Sequence, residues 1–75
     1  MATGTRWFEN MLITVNNKAI DINYKSTLME LLSLLNYNKS VAVFINARQL
    51  LQAEYEIYEL KENDIVRIVK PLGGG

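Results

Sequence analysis

TLMELLSLL, residues 27–35, is the segment that decides the fold, because its leucines repeat at a helical period. Leucines at i, i+3, i+4 and i+7 form one apolar stripe along a helix; here they are Leu28, Leu31, Leu32 and Leu35. Thr27 and Glu30 have the T-x-x-E spacing of a capping box, in which each side chain accepts a backbone N–H at the helix start. Residues 36–38 (NYN) include asparagines, which tolerate the left-handed conformation at helix ends. We therefore predict one amphipathic helix that covers one face of a sheet.

Segments with a two-residue period flank this helix and predict the strands of that sheet. Before the helix, residues 11–16 (MLITVN) and 19–23 are predicted strands, joined by a tight hairpin at Asn16-Asn17. Residues 52–61 predict irregular structure with one helical turn. After the helix, the predicted strands are residues 41–46 (VAVFIN), 49–51 and 65–70 (IVRIVK), the last closed by Pro71.

This order of elements predicts an α+β domain, with a mixed sheet of four to five strands covered by one main helix. The first and last strands should lie side by side and parallel in the centre, because the helix belongs to the crossover between them. That topology is the β-grasp, the ubiquitin-like fold, and we expect it to span residues 11–71. The predicted core consists of Ile13, Val15, Ile20, Leu28, Leu31, Leu32, Leu35, Val43, Ile45, Leu60, Val66 and Ile68.

The two ends of the chain differ from this patterned region. Residues 1–10 (MATGTRWFEN) show no period and predict a disordered extension or an expression leftover. The alternative is that Trp7 and Phe8 dock on the domain and cover apolar surface. Residues 72–75 (LGGG) predict a flexible glycine tail.

The composition excludes several classes of function. The chain has 75 residues, eight basic and eight acidic side chains, no histidine and no cysteine. Without those two residue types it lacks disulfides, a thiolate nucleophile and the commonest metal ligand. Balanced charge gives no reason to expect nucleic acid, and no apolar run approaches the ~20 residues of a membrane span. We expect a cytoplasmic protein that is a monomer when free and binds no metal or cofactor.

The sequence contains no catalytic motif, and the only candidate reactive group is the carboxylate at the end of the glycine tail. There is no G-x-x-x-x-G-K and no nucleophile elbow, and the glutamates of residues 54–62 are interpreted as a solvated loop. We therefore predict that the chain is not an enzyme. Terminal glycines stabilise nothing, because ordering glycine costs the most backbone entropy. They are either a cloning leftover or a tail that threads a narrow channel and presents its carboxylate, with Pro71 stiffening the exit from the sheet.

Together these pieces resemble the ThiS/MoaD family of ubiquitin-like sulfur carriers, and the ThiS branch in particular. The resemblance covers residues 11–75 and rests on MLITVNNK (11–18), TLMELLSLL, VAVFIN and NDIVRIVKPLGGG (63–75). A MoaD-type molybdopterin carrier fits less well at residues 70–72, and a ubiquitin-like modifier or a plain binding module stays open as an alternative. Ala47 and Asn63 stand where the family usually has glycine. Because alanine does not easily adopt positive φ, the turn after the third strand is expected to differ.

The resemblance implies a role for each residue of the tail. Gly75 would be the modified residue, while Gly73 and Gly74 would thread the partner's active site. An E1-like, ThiF-type adenylyltransferase would use ATP and Mg²⁺ to convert the Gly75 carboxylate into an acyl-adenylate. A sulfur donor system would then form a thiocarboxylate, which delivers sulfur to a ThiG-type thiazole synthase. ATP and Mg²⁺ would belong to the activating partner.

A partner-binding surface is predicted from strand parity. If Val43 and Ile45 face the helix, the residue between them faces outward, because side chains alternate along a strand. The same parity in the last strand leaves its first, third and fifth residues outside, next to that side chain. The predicted docking patch is Phe44, Ile65, Arg67 and Val69. The alternative is ordinary surface, or a patch covered by Trp7 or Phe8.

Overall fold

The computed structural model describes residues 10–71, and the elements in this part of the chain follow the predicted order. A 3₁₀ turn at Gln52–Glu54 is the helical turn expected within residues 52–61. Residues 1–9 of the predicted extension and the tail 72–75 lie outside the described residues, so the domain boundaries stay a prediction. Asn10, which was assigned to the extension, instead pairs with Asn23 in the first strand pair of the sheet. The regular elements are β1 (Asn10–Val15), β2 (Lys18–Asn23), α1 (Leu28–Leu34), β3 (Ala42–Ile45), β4 (Arg48–Gln49) and β5 (Ile65–Val69).

The strands form one five-stranded mixed sheet in the order β2-β1-β5-β3-β4. β1 and β5 pair in parallel at its centre, with Thr14 opposite Ile65, and all other neighbours pair antiparallel. The chain passes through α1 between these two parallel strands, because parallel neighbours cannot be joined by a short turn. This is the topology of a β-grasp, and the predicted fold class is confirmed.

Two tight hairpins connect antiparallel neighbours, and both use positive φ angles. Asn16 (φ 49°) and Asn17 (φ 71°) join β1 to β2, as predicted. Asn46 (φ 52°) and Ala47 (φ 74°) join β3 to β4. Positive φ at both positions is the pattern of a type I′ turn, one of the two turn types whose twist matches that of the flanking strands. Ala47 therefore adopts the left-handed conformation that a glycine would supply, contrary to the expectation that alanine changes this turn.

We expect Ala47→Gly to stabilise the domain by about 0.5–1 kcal/mol, because the left-handed region costs a residue with a Cβ atom roughly 1–2 kcal/mol. Chemical denaturation of the two proteins measures the difference. Ala19→Gly is the matched control, since Ala19 lies within β2 at extended φ and should lose about 0.5–1 kcal/mol. If both substitutions destabilise the domain, Ala47 is not strained.

A buried polar cluster ties the second hairpin to the start of β5. Asp64 is 5% exposed, and its carboxylate accepts hydrogen bonds from the Asn46 amide (3.1 Å) and the Lys61 N–H (2.9 Å). The Asn46 side-chain oxygen in turn accepts the N–H of Ile65 at 3.0 Å. Asn46 thus uses its carboxamide to hold the first residue of β5, and the buried carboxylate has partners, as a buried charge requires.

The backbone N–H groups at the start of α1 are capped by side chains of residues 27 and 30 and by carbonyl oxygens of the irregular segment 52–61. Thr27 Oγ1 accepts the Glu30 N–H at 3.2 Å, and the Glu30 carboxylate accepts the Thr27 N–H at 3.0 Å, which confirms the capping box. The N–H groups of the first two helical residues donate to the carbonyl oxygens of Tyr58 and Tyr55 at 2.9 and 2.8 Å. The irregular segment, residues 52–61, therefore stabilises α1, because its carbonyl oxygens accept backbone N–H groups that have no partner within the helix.

The end of α1 is a Schellman motif. Asn36 has φ 66°, its N–H donates to the Ser33 carbonyl at 3.1 Å, and the Tyr37 N–H donates to the Leu32 carbonyl at 2.8 Å. The predicted asparagine stop is thereby confirmed. Within residues 10–71, no helix has the length and apolar character needed to cross a membrane.

The predicted core is largely confirmed, with two corrections and five additions. Ile20 and Leu35 are only half-buried and pack against the margin of the core, Ile20 from β2 and Leu35 from the position that follows the last residue of the short helix. Tyr55, which lies in the stretch predicted to be irregular, is only 2% exposed, and its hydroxyl donates to the Val41 carbonyl at 2.8 Å. Burial raises the pKa of this phenol. The buried residues that the sequence pattern missed are Met11, Ile22, Val41, Leu50 and Tyr55.

Candidate functional site

The outer face of the sheet, opposite α1, carries the residues predicted to bind a partner. Along β5, Val66 and Ile68 are buried, while Ile65 and Val69 are 59% and 42% exposed. β3 alternates in the same way, with Val43 and Ile45 buried against the core. The predicted strand parity is therefore confirmed on both strands.

The four predicted residues lie around one shallow groove of about 560 Å³. β3 and β5 are neighbours, and Phe44 pairs directly with Arg67 in their register. Phe44 was expected to be exposed, but it is half-buried. The reason is that β3 has a strand on each side, so Phe44 lies between Gln49 of β4 and Arg67 of β5. We call this feature the outer groove; its lining residues are Phe44, Ala47, Ile65, Arg67 and Val69.

The outer groove is apolar apart from one charge. Among its lining residues Arg67 alone is charged, and its side chain is exposed. The salt bridges found within residues 10–71, Lys39–Glu56 at 2.7 Å and Arg48–Glu54 at 4.0 Å, do not involve it. A groove of this kind suits a partner that supplies apolar side chains and a carboxylate.

The second part of the site is the root of the tail, which is the end of β5 and Pro71. Asn16 Oδ1 accepts the Ile68 N–H at 2.8 Å, and Asn16 Nδ2 donates to the Ile68 carbonyl at 3.2 Å. One residue beyond β5, the Lys70 ammonium lies 5.6 Å from the centre of the Tyr37 ring, within the range of a cation–π contact. These contacts fix where the chain leaves the sheet toward the tail.

The residues predicted to carry the chemistry lie outside the described part of the chain. Gly73, Gly74 and Gly75 lie outside residues 10–71, so their roles stay predictions. Two features of the site could not be predicted: Ala47 lines the outer groove, and the Asn16 carboxamide binds the backbone of Ile68. An asparagine in a tight turn indicates positive φ, but nothing in its neighbours indicates that its carboxamide reaches a strand 52 residues away.

No group of histidine, cysteine, aspartate or glutamate side chains in the described range is arranged to hold a metal ion. In the described part of the chain, the candidate site thus consists of the outer groove and the adjacent end of β5.

Comparison with known proteins identifies the family. A search of curated protein sequences returned no significant match. The chain is similar to a crystal structure of a thiamine biosynthesis protein (ThiS) from Geobacter metallireducens, with 29% identity and a TM-score of 0.75 over 87% of this chain and 100% of that one. It is also similar to an NMR solution structure of a thiamine biosynthesis protein from the same organism, with 30% identity and a TM-score of 0.71 over 87% and 88% of the two chains. The model of the ThiS family matches residues 9–75, nearly the whole chain, and the protein therefore belongs to the ThiS family.

Proposed function

We propose that this protein is a sulfur carrier in thiamine biosynthesis and that it acts as a protein co-substrate of partner enzymes. The observation that supports the proposal most strongly is the match to the ThiS family, which continues through the glycines to Gly75. The two similar structures, both of thiamine biosynthesis proteins, support the same pathway.

The reaction proposed for the tail has two steps at the carboxylate of Gly75. A carboxylate is a poor electrophile, so one of its oxygens first attacks the α-phosphorus of ATP and pyrophosphate leaves. Hydrosulfide-level sulfur (HS⁻) from the donor system then attacks the acyl carbon, its proton is lost, and AMP leaves with the former carboxylate oxygen. The product is a thiocarboxylate, whose sulfur goes to a thiazole synthase. Glycine suits this chemistry, because it leaves the acyl carbon unhindered and lets the backbone approach the enzyme closely.

The other parts of the site would serve recognition. The outer groove would dock on an E1-like, ThiF-type adenylyltransferase, with its apolar residues in the centre and Arg67 paired to a carboxylate of the partner. ATP and Mg²⁺ would be held by that partner. The thiazole synthase, of ThiG type, would receive the loaded tail.

Intact-mass measurement tests the proposed function directly. Co-expression with a ThiF-type enzyme and a sulfur source should raise the mass of the chain by about 16 Da, because sulfur replaces one carboxylate oxygen. A persistently unmodified mass would favour a plain binding module, and adducts of protein size would favour a ubiquitin-like modifier.

We expect Phe44→Ala to weaken binding to the activating enzyme by about 1–3 kcal/mol, because Phe44 supplies the largest apolar side chain of the outer groove. The free energy of unfolding should fall by only about 1 kcal/mol, since this side chain is half-buried. Calorimetric titration and chemical denaturation measure the two effects separately.

Leu34→Ala is the matched control for this prediction. Leu34 is 61% exposed on α1, which packs on the opposite face of the sheet, so its truncation should leave binding unchanged. Equal binding by wild type and Phe44→Ala would show that the outer groove is ordinary surface.

A further inference from the structure

The end of β5 is held on its β1 side by a side chain and not by a strand. β1 ends at Val15, and the chain then reverses through the Asn16-Asn17 hairpin. The Asn16 N–H continues the parallel ladder by donating to the Val66 carbonyl at 2.9 Å. Two residues further along β5 there is no β1 residue to pair with. There the Asn16 carboxamide takes the place of a backbone peptide, accepting the Ile68 N–H and donating to the Ile68 carbonyl.

This carboxamide is placed at the point where the domain becomes the tail. On the β3 side, the last register pair of β5 is Ala42 with Val69. Lys70 follows, with its ammonium near the Tyr37 ring, and then Pro71, whose φ is fixed by its ring. The direction in which the chain leaves the sheet is therefore set by the last contacts of β5, and Asn16 makes two of them.

We infer that Asn16 is a positioning residue for adenylation of the tail, because it fixes the end of β5 from which the tail extends. This inference rests on the proposed function. Asn16 does not touch the reacting atoms; it acts through Ile68 and the chain that follows. When the outer groove docks, the activating enzyme receives the chain from a fixed starting point, so less freedom must be lost to bring the carboxylate to ATP.

The distances make this effect large enough to measure. Gly75 lies five residues beyond Lys70, a distance of at most roughly 17 Å when the chain is extended. Reactive groups tolerate errors of only about 10–20°. Once the tail is threaded in extended form into the activating enzyme, a change of about 10° at its start would move its far end by roughly 3 Å. Freeing the end of β5 should therefore lower the rate of the chemical step more than the affinity of docking.

The chain contains a matched control for this residue. Asn46 also occupies the first position of a two-residue hairpin, with φ 52° against 49° for Asn16. Its carboxamide also makes two hydrogen bonds, one of them to a backbone N–H of β5, but that residue is Ile65 at the opposite end of the strand. Glycine is the appropriate replacement at both positions, because it removes the carboxamide and keeps the positive φ.

The test compares Asn16→Gly and Asn46→Gly in steady-state ATP–pyrophosphate exchange with a ThiF-type enzyme, at a temperature where both variants are folded. Asn16→Gly should lower kcat on the order of tenfold, with the KM for the carrier changed by no more than about twofold because the docking residues are intact. Asn46→Gly should keep kcat near the wild-type value. Asn16→Asp, which keeps the acceptor for the Ile68 N–H, should recover part of the lost kcat.

A second measurement does not depend on the activating enzyme. Amide order parameters from NMR relaxation should fall at Val69 and Lys70 in Asn16→Gly and stay at wild-type values in Asn46→Gly. Equal kcat in the two glycine variants, or unchanged order at Val69 and Lys70, would overturn the role of Asn16 while leaving the carrier function intact. If the wild-type chain itself is not adenylated, the proposed function fails and this inference fails with it.

Discussion

Replacing Leu32 with alanine is expected to lower the free energy of unfolding by about 2–5 kcal/mol, measured by chemical denaturation. Leu32 is completely buried in α1, at the centre of the leucine stripe that packs on the sheet. Alanine has the highest helix propensity, so the loss reports packing and not helix formation. A domain of this size has a total stability of roughly 4–11 kcal/mol, at 0.05–0.15 kcal/mol per residue. One truncated side chain should therefore remove a large share of it.

The same substitution two residues along the helix is the control. Leu34 is 61% exposed, and Leu34→Ala should change the free energy of unfolding by no more than about 0.5 kcal/mol. If Leu32→Ala fails to fold, Leu32→Met keeps the volume and should cost less than about 1.5 kcal/mol. An unchanged denaturation midpoint for Leu32→Ala would contradict the packing of this helix face.

The features of this fold that could be predicted from sequence are those set by neighbours in the chain. The capping box joins residues three apart, and the asparagine stop of α1 closes bonds over at most five residues. Strand parity is equally local, because it follows from alternation within β3 and β5. For that reason the inward and outward faces of both strands were predicted correctly, and the four residues of the docking patch meet in the outer groove.

The features that could not be predicted depend on contacts between distant segments. Tyr55 lies in an acidic, irregular stretch, and only the folded chain shows that its hydroxyl reaches the carbonyl of Val41, the residue before β3. Ile20 and Ile22 share one face of the edge strand β2, yet Ile22 is buried and Ile20 only half-buried. The degree of burial of Phe44 likewise depends on its two cross-strand neighbours. The alternation of residues along a strand predicts which face a side chain points to, whereas its burial depends on the residues that pack beside it.

Ala47 shows a different kind of limit. Its residue type argues against positive φ, and a change in the turn was the reasonable expectation. The two strands that it connects are paired in a register that leaves only two residues for the loop. The cost of one strained alanine is small compared with the hydrogen bonds and core contacts that a different turn would disrupt. Tertiary structure therefore overrides the local preference.

Removing Gly75, or both Gly74 and Gly75, is expected to abolish adenylation while leaving the fold intact. Deletion of one residue withdraws the carboxylate by roughly 3.3–3.6 Å, and misplacement by only 1 Å can cost on the order of 10²-fold in rate. Within residues 10–71, every buried core residue lies between Met11 and Ile68, so the free energy of unfolding should not change. An ATP–pyrophosphate exchange assay with each truncated chain measures the first effect, and chemical denaturation measures the second.

The matched control for the truncation is a chain with one additional glycine after Gly75. It keeps every residue of the carrier and all of the outer groove, but it moves the carboxylate forward by the same roughly 3.3–3.6 Å. If the position of the carboxylate is what matters, the extended chain should lose exchange activity as the truncated one does, and both should still compete with the wild type for the activating enzyme through the outer groove. Full exchange activity in the truncated chains would end the carrier hypothesis. Loss of competition together with loss of activity would instead mean that the tail itself supplies the binding energy, and the outer groove would then have no part in recognition.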